Sequence, residues 1–387
     1  MTDSLVTLAD DYPSQTGENK PLGVAIVGTG FGQKIHIPGF QAYPGTEVVV
    51  VYHRDIDKAS AIADAYQIPN ACDEITELVK MPEVQAVSIS TPPFLHNEMA
   101  KIVLESGKHL LLEKPTALSA QESRSLYHLA ADSGAIATMD FEFRFVPAWQ
   151  RFKELLDEGY CGEKRLIKID WLASSRAAAD RPWNWYSQKD KGGGALGAIG
   201  SHAFDYIRWL FGPVKRLSGH LSTSITERPD PADGGKLKLV DADDSCLLML
   251  ELTDGTPVNV CLSSTTYQGR GHFVEVYGDR GTLILGSSNQ KDYVHGFTIQ
   301  GAPAGEDLRD LEIPVRLQFP QTYSDGRLAP FIRVVDNWVQ GINRGQTVVP
   351  SLKEGVYSQL LMDLTLESHA TGTWVTVPNF EQFLANS

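Results

Sequence analysis

The sequence predicts a two-domain α/β protein: a doubly wound parallel domain, then an α+β domain built on a mostly antiparallel, open sheet. Three observations carry that prediction. In the first third, short apolar runs alternate with stretches of helical periodicity, as expected for strands buried on both faces. The first of these runs, GVAIVG, passes straight into a glycine turn, GTGFG. After Pro147 apolar and polar residues alternate, the pattern of strands buried on one face. At about 150 residues per domain, the length of 387 residues suits a tail over 1–20, a parallel domain over 21–143 and a second domain over 144–387.

In order, GVAIVG, EVVVVYH, VQAVSIS, HLLLE and IATMDFE supply the parallel strands, and Asp57 to Tyr66, Leu95 to Ser106 and Ala120 to Ser133 the helices between them. A helix near 147–158 then leads to the alternating strand EKRLIKIDWLAS, the small-residue run GGGALGAIGSH and an amphipathic helix through Trp209. SCLLMLELTDGTPVNVCLSS and HFVEVYGDRGTLIL follow as antiparallel strands, the latter turning at Gly278-Asp279-Arg280-Gly281. The Pro- and Gly-rich span Glu227 to Gly235 reads as a loop, and two helices near 327–344 and 354–370 close the chain.

The balance of 34 basic and 48 acidic residues, net −14, disfavours nucleic acid and anionic membranes as partners. Cys72, Cys161, Cys246 and Cys261 lack paired spacing, which fits a reducing, cytoplasmic setting better than a disulfide framework or a zinc site. No apolar run reaches the roughly 18 residues of a membrane span. The start, MTDSLVTLADDYPSQTGENK, has no signal-peptide pattern. The carboxylates of DADDS read as a solvated loop, and no metal is expected.

The turn GTGFG follows a strand and precedes a helix, the setting in which glycines admit a pyrophosphate close to the backbone. Gly28 serves the turn and Gly30 the close approach, with Thr29, Phe31, Gly32 and Ser90 around them. The third glycine of the fingerprint falls on Gln33, one residue after Gly32. About 20 residues on, an acidic residue would bind ribose hydroxyls, but the chain has His53 and Arg54. A ring and a guanidinium suit a 2′-phosphate, so NADP is favoured over NAD; a solvated Arg54 at a helix start is the plain alternative.

Three further segments, STPPFLHNEMA, GKHLLLEKP and GGGALGAIGSHAFDYIRWLFG, join GTGFG and FRFVPAW in order. With them the chain resembles the Gfo/Idh/MocA oxidoreductases, the group of glucose-fructose oxidoreductase and inositol dehydrogenase. The resemblance implies a Rossmann domain, a second domain whose sheet mediates dimers or tetramers, and NAD(P)-dependent hydride exchange with a sugar, polyol or related small cyclic alcohol or ketone. It implies that Thr91, Pro92 and His96 line the cofactor, that Glu113 lies near its ribose, that Lys114 stands between nicotinamide and reacting carbon, and that Lys114-Pro115 is cis. Lys114 and His202 then supply the cation and base that alcohol oxidation needs. Arg144 orients cofactor or substrate, and Trp183 and Trp185 cover a ring or pack a loop.

One position departs from the family pattern. Ala198 stands four residues before His202, where relatives carry an aspartate. Asp205, three residues after His202 on the same helical face, is the candidate substitute. Two other functions stay open: a non-catalytic, NADP-binding regulator that uses the fold to bind protein, and a reductase of a non-sugar substrate.

Overall fold

The computed structural model describes residues 20–289, 292 and 294–385; all but the last residue of the predicted tail lies outside them. The parallel strands are β1 (Leu22–Val27), β2 (Thr46–Tyr52), β3 (Asn70–Cys72), β4 (Ala86–Ile89), β5 (His109–Leu112) and β6 (Ala137–Met139). They form one parallel sheet in the order β3-β2-β1-β4-β5-β6. Connecting them are α1 (Ile37–Ala42), α2 (Ile56–Tyr66), α3 (Ile75–Leu78), α4 (His96–Glu105) and α5 (Ala120–Ser133). The central strands are buried almost throughout because helices cover both faces. Strand order reverses between β1 and β4, so their carboxyl ends open the crevice where such sheets bind ligands.

The second unit starts with α6 (Pro147–Asp157) and β7 (Lys164–Leu172), continues through α7 (Ser201–Phe211) and β8 (Val214–Ser222), and then forms the hairpin β9 (Glu227–Asp230) and β10 (Lys236–Leu239). The predicted loop over Glu227 to Gly235 is therefore corrected. Trp183 supplies the reason: its backbone N–H donates to the Pro229 carbonyl, its indole N–H donates to the Leu239 carbonyl at 2.9 Å, and Lys238 covers its ring. A tertiary anchor overrides the local turn signal.

Next come β11 (Ser245–Leu252), β12 (Pro257–Ser263), β13 (Gly271–Gly278), β14 (Gly281–Ser287), β15 (Thr298–Pro303) and β16 (Arg309–Leu311). The chain ends with α8 (Leu328–Arg344), α9 (Leu352–Thr371), β17 (Val375–Thr376) and α10 (Phe380–Ala385). The nine-stranded order is β16-β15-β14-β13-β7-β12-β11-β8-β17, antiparallel except where β7 meets β12. Along β11, Cys246, Leu248, Leu250 and Leu252 are buried while Leu247 and Met249 are exposed, so one face meets helices and the other stays open.

Helix α8 crosses back to the first sheet. Phe331, Val335 and Trp338 pack into one core with Val24, Ile26, Phe40 and Val51, and Trp338 donates its indole N–H to the Ile136 carbonyl at 3.0 Å. Helix α9 begins with a capping box, Ser351 and Glu354, and packs between α5 and α7. No helix among the described residues is long and apolar enough to cross a membrane.

Candidate active site

A cleft of about 720 Å³ runs from the β1 turn, across the ends of β4 and β5, to the start of α7, and so lies between the two sheets. At its outer end Gly28 takes φ +112°, and a Cβ there would lie 2.6 Å from the Ser90 carbonyl carbon, so only glycine fits. Gly30 faces open space, with nothing within 4 Å of a built Cβ. Gly32 does not line the cleft; its Cβ would lie 2.4 Å from Ser90 Oγ. It thereby does the close packing expected of the third glycine, one residue early. Residues 32–36 form a π-turn, whose wider turn shifts the register by about one residue.

Tyr52, His53 and Arg54 line the same end. His53 Nδ1 accepts the Asp55 backbone N–H at 3.0 Å, while Arg54 makes no ion pair among the described residues. Turn, open glycine and free guanidinium fit a dinucleotide phosphate. Thr29, Phe31, Ser90, Thr91, Pro92 and Glu113 also line the cleft. His96 does not; both ring nitrogens lie 2.8 Å from backbone carbonyls, those of Pro115 and Thr91. It ties the β4 loop to the Lys114-Pro115 peptide, which is cis.

At the inner end Lys114 Nζ donates to the Ala198 carbonyl at 3.0 Å, bridging the two units. Ala198 belongs to a second π-turn, Leu196–Gly200, that opens α7, so the straight-helix spacing used to relate positions 198, 202 and 205 does not hold there. The run before it is small because it is threaded closely. Gly194 takes φ +98°, and a Cβ would lie 2.4 Å from Asp243 Oδ1. Asp243 Oδ2 accepts the Leu196 N–H at 2.8 Å; burial pushes its pKa up to about 6 despite that bond. The DADDS segment is thus a set of caps, not a solvated loop: Asp241 accepts the Lys189 N–H, and Asp244 the N–H groups of Ser224 and Ile225.

His202 lines the cleft, its ring set among Phe143 at 5.0 Å, Trp171 at 6.1 Å and Phe141 at 6.2 Å. Burial, with smaller contributions from Lys114 and His272, holds its pKa well below the ordinary 6.5. The imidazole is neutral at neutral pH and able to accept a proton.

Asp205 and Arg144 face each other instead of the cleft, in a buried bidentate pair at 2.6 and 2.9 Å. Asp205 is therefore not available to replace an aspartate at 198. Trp183 lies outside the lining and Trp185 within it. Sequence reasoning missed Tyr52, Asp140 and Glu142, which line the cleft, and His36, which lies fully buried against Glu113. The acidic positions in MDFEFRF, in the last residues of the predicted strand IATMDFE, were the available signal for two of them.

Residues 22–141 match the family model described as oxidoreductase family, NAD-binding Rossmann fold, and residues 153–377 that of the same family's C-terminal alpha/beta domain. An uncharacterized oxidoreductase of Synechocystis sp. is 52% identical over 364 residues, covering 94% of this chain and 98% of that protein. Levoglucosan dehydrogenase of Pseudarthrobacter phenanthrenivorans is 27% identical, covering 92% and 98%. A solved levoglucosan dehydrogenase complex with NADH and levoglucosan superposes with a TM-score of 0.84 at 26% identity, over 93% of this chain and 100% of that one. The chain belongs to the Gfo/Idh/MocA oxidoreductase family.

Proposed function

We propose that this family member is an NAD(P)-dependent oxidoreductase that exchanges hydride with a carbinol or ketone carbon of a sugar, polyol or related cyclic alcohol, with Lys114 and His202 flanking the reacting oxygen. The carrying observation is that Lys114, from the first sheet, meets the Ala198 carbonyl just ahead of His202, in a cleft whose other end is the glycine turn. The bound nicotinamide supplies the hydride acceptor or donor. Oxidation also needs a proton acceptor and a positive group near the developing alkoxide; neutral His202 suits the first role and Lys114 the second. The sugar-type substrate is supported by relatives named levoglucosan dehydrogenase, D-glucoside 3-dehydrogenase of Escherichia coli and glucose-6-phosphate 3-dehydrogenase of Bacillus subtilis.

Arg54, lining the cleft without an acidic partner, supports NADP over NAD. The exposed face of the nine-stranded sheet, with Leu166, Leu247 and Met249, supports a homodimer or tetramer. A panel of anhydrosugars, glucosides, sugar phosphates and inositols, each run with NADP and with NAD, tests the reading. Turnover with any of them is expected, and tighter NADP than NAD binding; no turnover across the panel refutes the enzyme. Ala198 favours one second reading, a non-catalytic regulator, which predicts a nucleotide-dependent protein partner and no hydride transfer.

A further inference from the structure

Below Lys114 the floor of the cleft carries more ionisable groups than the proposed chemistry uses. His36, at the end of the first π-turn, is fully buried; Nδ1 lies 2.7 Å from Ser88 Oγ on β4 and Nε2 3.1 Å from Glu113 Oε1. Glu113, just past β5, also accepts the Lys114 backbone N–H on Oε2 at 3.2 Å. Its carboxylate thus faces two nitrogens, an arrangement that favours the charged form. Asp140, just past β6, is buried with its nearer oxygen 3.9 Å from His36 Nε2. It meets no N–H or O–H donor among the described residues. Its neighbours are the carboxyl groups of Glu113 and Glu142 and the Lys114 ammonium. His96 adds a further ring near Glu113, α8 contributes only the Phe331 ring stacked on His36 at 4.4 Å, and His202 faces the cluster across the cleft.

Clustered carboxyl groups in a dry site do not all ionise; neighbours share a proton. Glu113, with two donors, keeps the charge, and Asp140 keeps the proton and turns it toward Glu113. Burial together with the Glu113 and Glu142 charges pushes Asp140 well above the usual carboxylate range. Both Glu113 and Asp140 open onto the cleft that also holds Lys114.

We propose that Glu113 and Asp140 form a proton store that reads the charge of the nicotinamide: the cationic, oxidised ring expels the Asp140 proton, and the neutral, reduced ring lets it return. This rests on the proposed function in one respect, that the nicotinamide occupies the Lys114 end of the cleft. During alcohol oxidation the breaking C–H bond delivers hydrogen and its electron pair to the ring. The O–H proton, taken first by His202, comes to rest on the Asp140 carboxylate, and the carbonyl C=O forms. The ring loses one positive charge and the carboxyl pair one negative charge, so the site's net charge is unchanged. Hydride transfer is thereby spared the cost of creating net charge in a buried site.

The test is proton release on binding, with no substrate present. Full-length protein is mixed with NADP⁺ or NADPH, and in parallel NAD⁺ or NADH, in weak buffer with a pH indicator, while tryptophan fluorescence reports binding. The oxidised form is expected to release close to one proton per site at pH 7 and the reduced form close to none. Below the Asp140 pKa, the ratio of oxidised to reduced Kd is expected to rise about tenfold per unit fall in pH. Asp140→Asn, which retains shape and a donor toward Glu113, is expected to abolish the difference with an unchanged Tm, whereas Glu142→Gln, which removes only one of the charges that raise Asp140, is expected to reduce it without abolishing it. Equal release by both redox forms overturns the proposal, as does release lost in Glu142→Gln but retained in Asp140→Asn. Should Asp140→Asn not fold, the wild-type comparison of redox forms and the Glu142→Gln result still decide. Absence of binding by any form overturns the reading of the cleft itself, an outcome distinct from binding without differential release.

Discussion

The two walls of the cleft are opposite in character. The Lys114 wall, made by strand ends of the first sheet, gathers Glu113, Asp140, Glu142 and His36 around one ammonium. The His202 wall surrounds that ring with Phe141, Phe143 and Trp171. On the first wall the pairing of Glu113 with His36 favours its charge, and on the second desolvation disfavours charge on His202. The contrast teaches that burial keeps the His202 ring neutral while Glu113 on the facing wall keeps its charge, the divergence on which acid and base assignments rest.

The strongest way to break that contrast is to remove the ammonium. Lys114→Met is expected to lower kcat by on the order of 10³, or about 4 kcal/mol, while NADPH binding, followed by fluorescence, changes little; a mutant retaining a tenth of wild-type kcat would falsify the assigned role. Asp205→Ala asks whether the nearby buried pair belongs to the site or to the scaffold. Leaving Arg144 charged and unpaired is expected to cost about 3–5 kcal/mol of stability, seen as a large fall in Tm, with the pH profile of the remaining folded enzyme unaltered. His202→Asn should reduce kcat by on the order of 10², about 2.7 kcal/mol.

Arg54→Ala is a milder change at the far end, expected to weaken NADP about tenfold, about 1.4 kcal/mol, and NAD hardly at all; equal losses for both would sink the 2′-phosphate assignment. The aromatic wall also has a pH signature. Burial pushes His272, stacked on Trp171 at 4.1 Å, down to about 3. The unfolded chain, with an ordinary histidine near 6.5, binds the proton first. Stability is therefore full above pH 6.5 and declines as pH falls from there through 3. His272→Phe is expected to flatten the denaturant-midpoint profile across that window, and an unchanged slope would remove His272 from the account.

Much of this was legible from residues alone, for reasons that can be located. The runs GVAIVG, VQAVSIS and HLLLE are continuous because both faces of β1, β4 and β5 are covered, and the 278–281 turn was readable because the strands alternate on either side of it. Lys114, His202 and the glycine turn stood out through their motifs. What escaped depended on partners distant in sequence. Asp243 caps a turn some 47 residues upstream, and the hairpin over 227–239 exists because Trp183 binds its backbone. Asp140 and Glu142 are polar residues in an apolar stretch, and nothing local says that Glu113 and His36 wait beside them. The offset between Gly32 and Gln33 looked like a defect until the π-turn absorbed it.

The return of α8 to the first sheet has a consequence for how the protein is made. Phe331, Val335 and Trp338 complete the hydrophobic layer over Val24, Ile26 and Val51, yet they leave the ribosome some three hundred residues after β1. During synthesis the N-terminal sheet therefore waits with an apolar face partly uncovered while every strand of the second sheet but β17 is translated. Domains usually fold in order as they emerge; here the first to emerge waits for a helix made near the end of the chain, and a chain terminated before α8 carries an exposed, aggregation-prone surface.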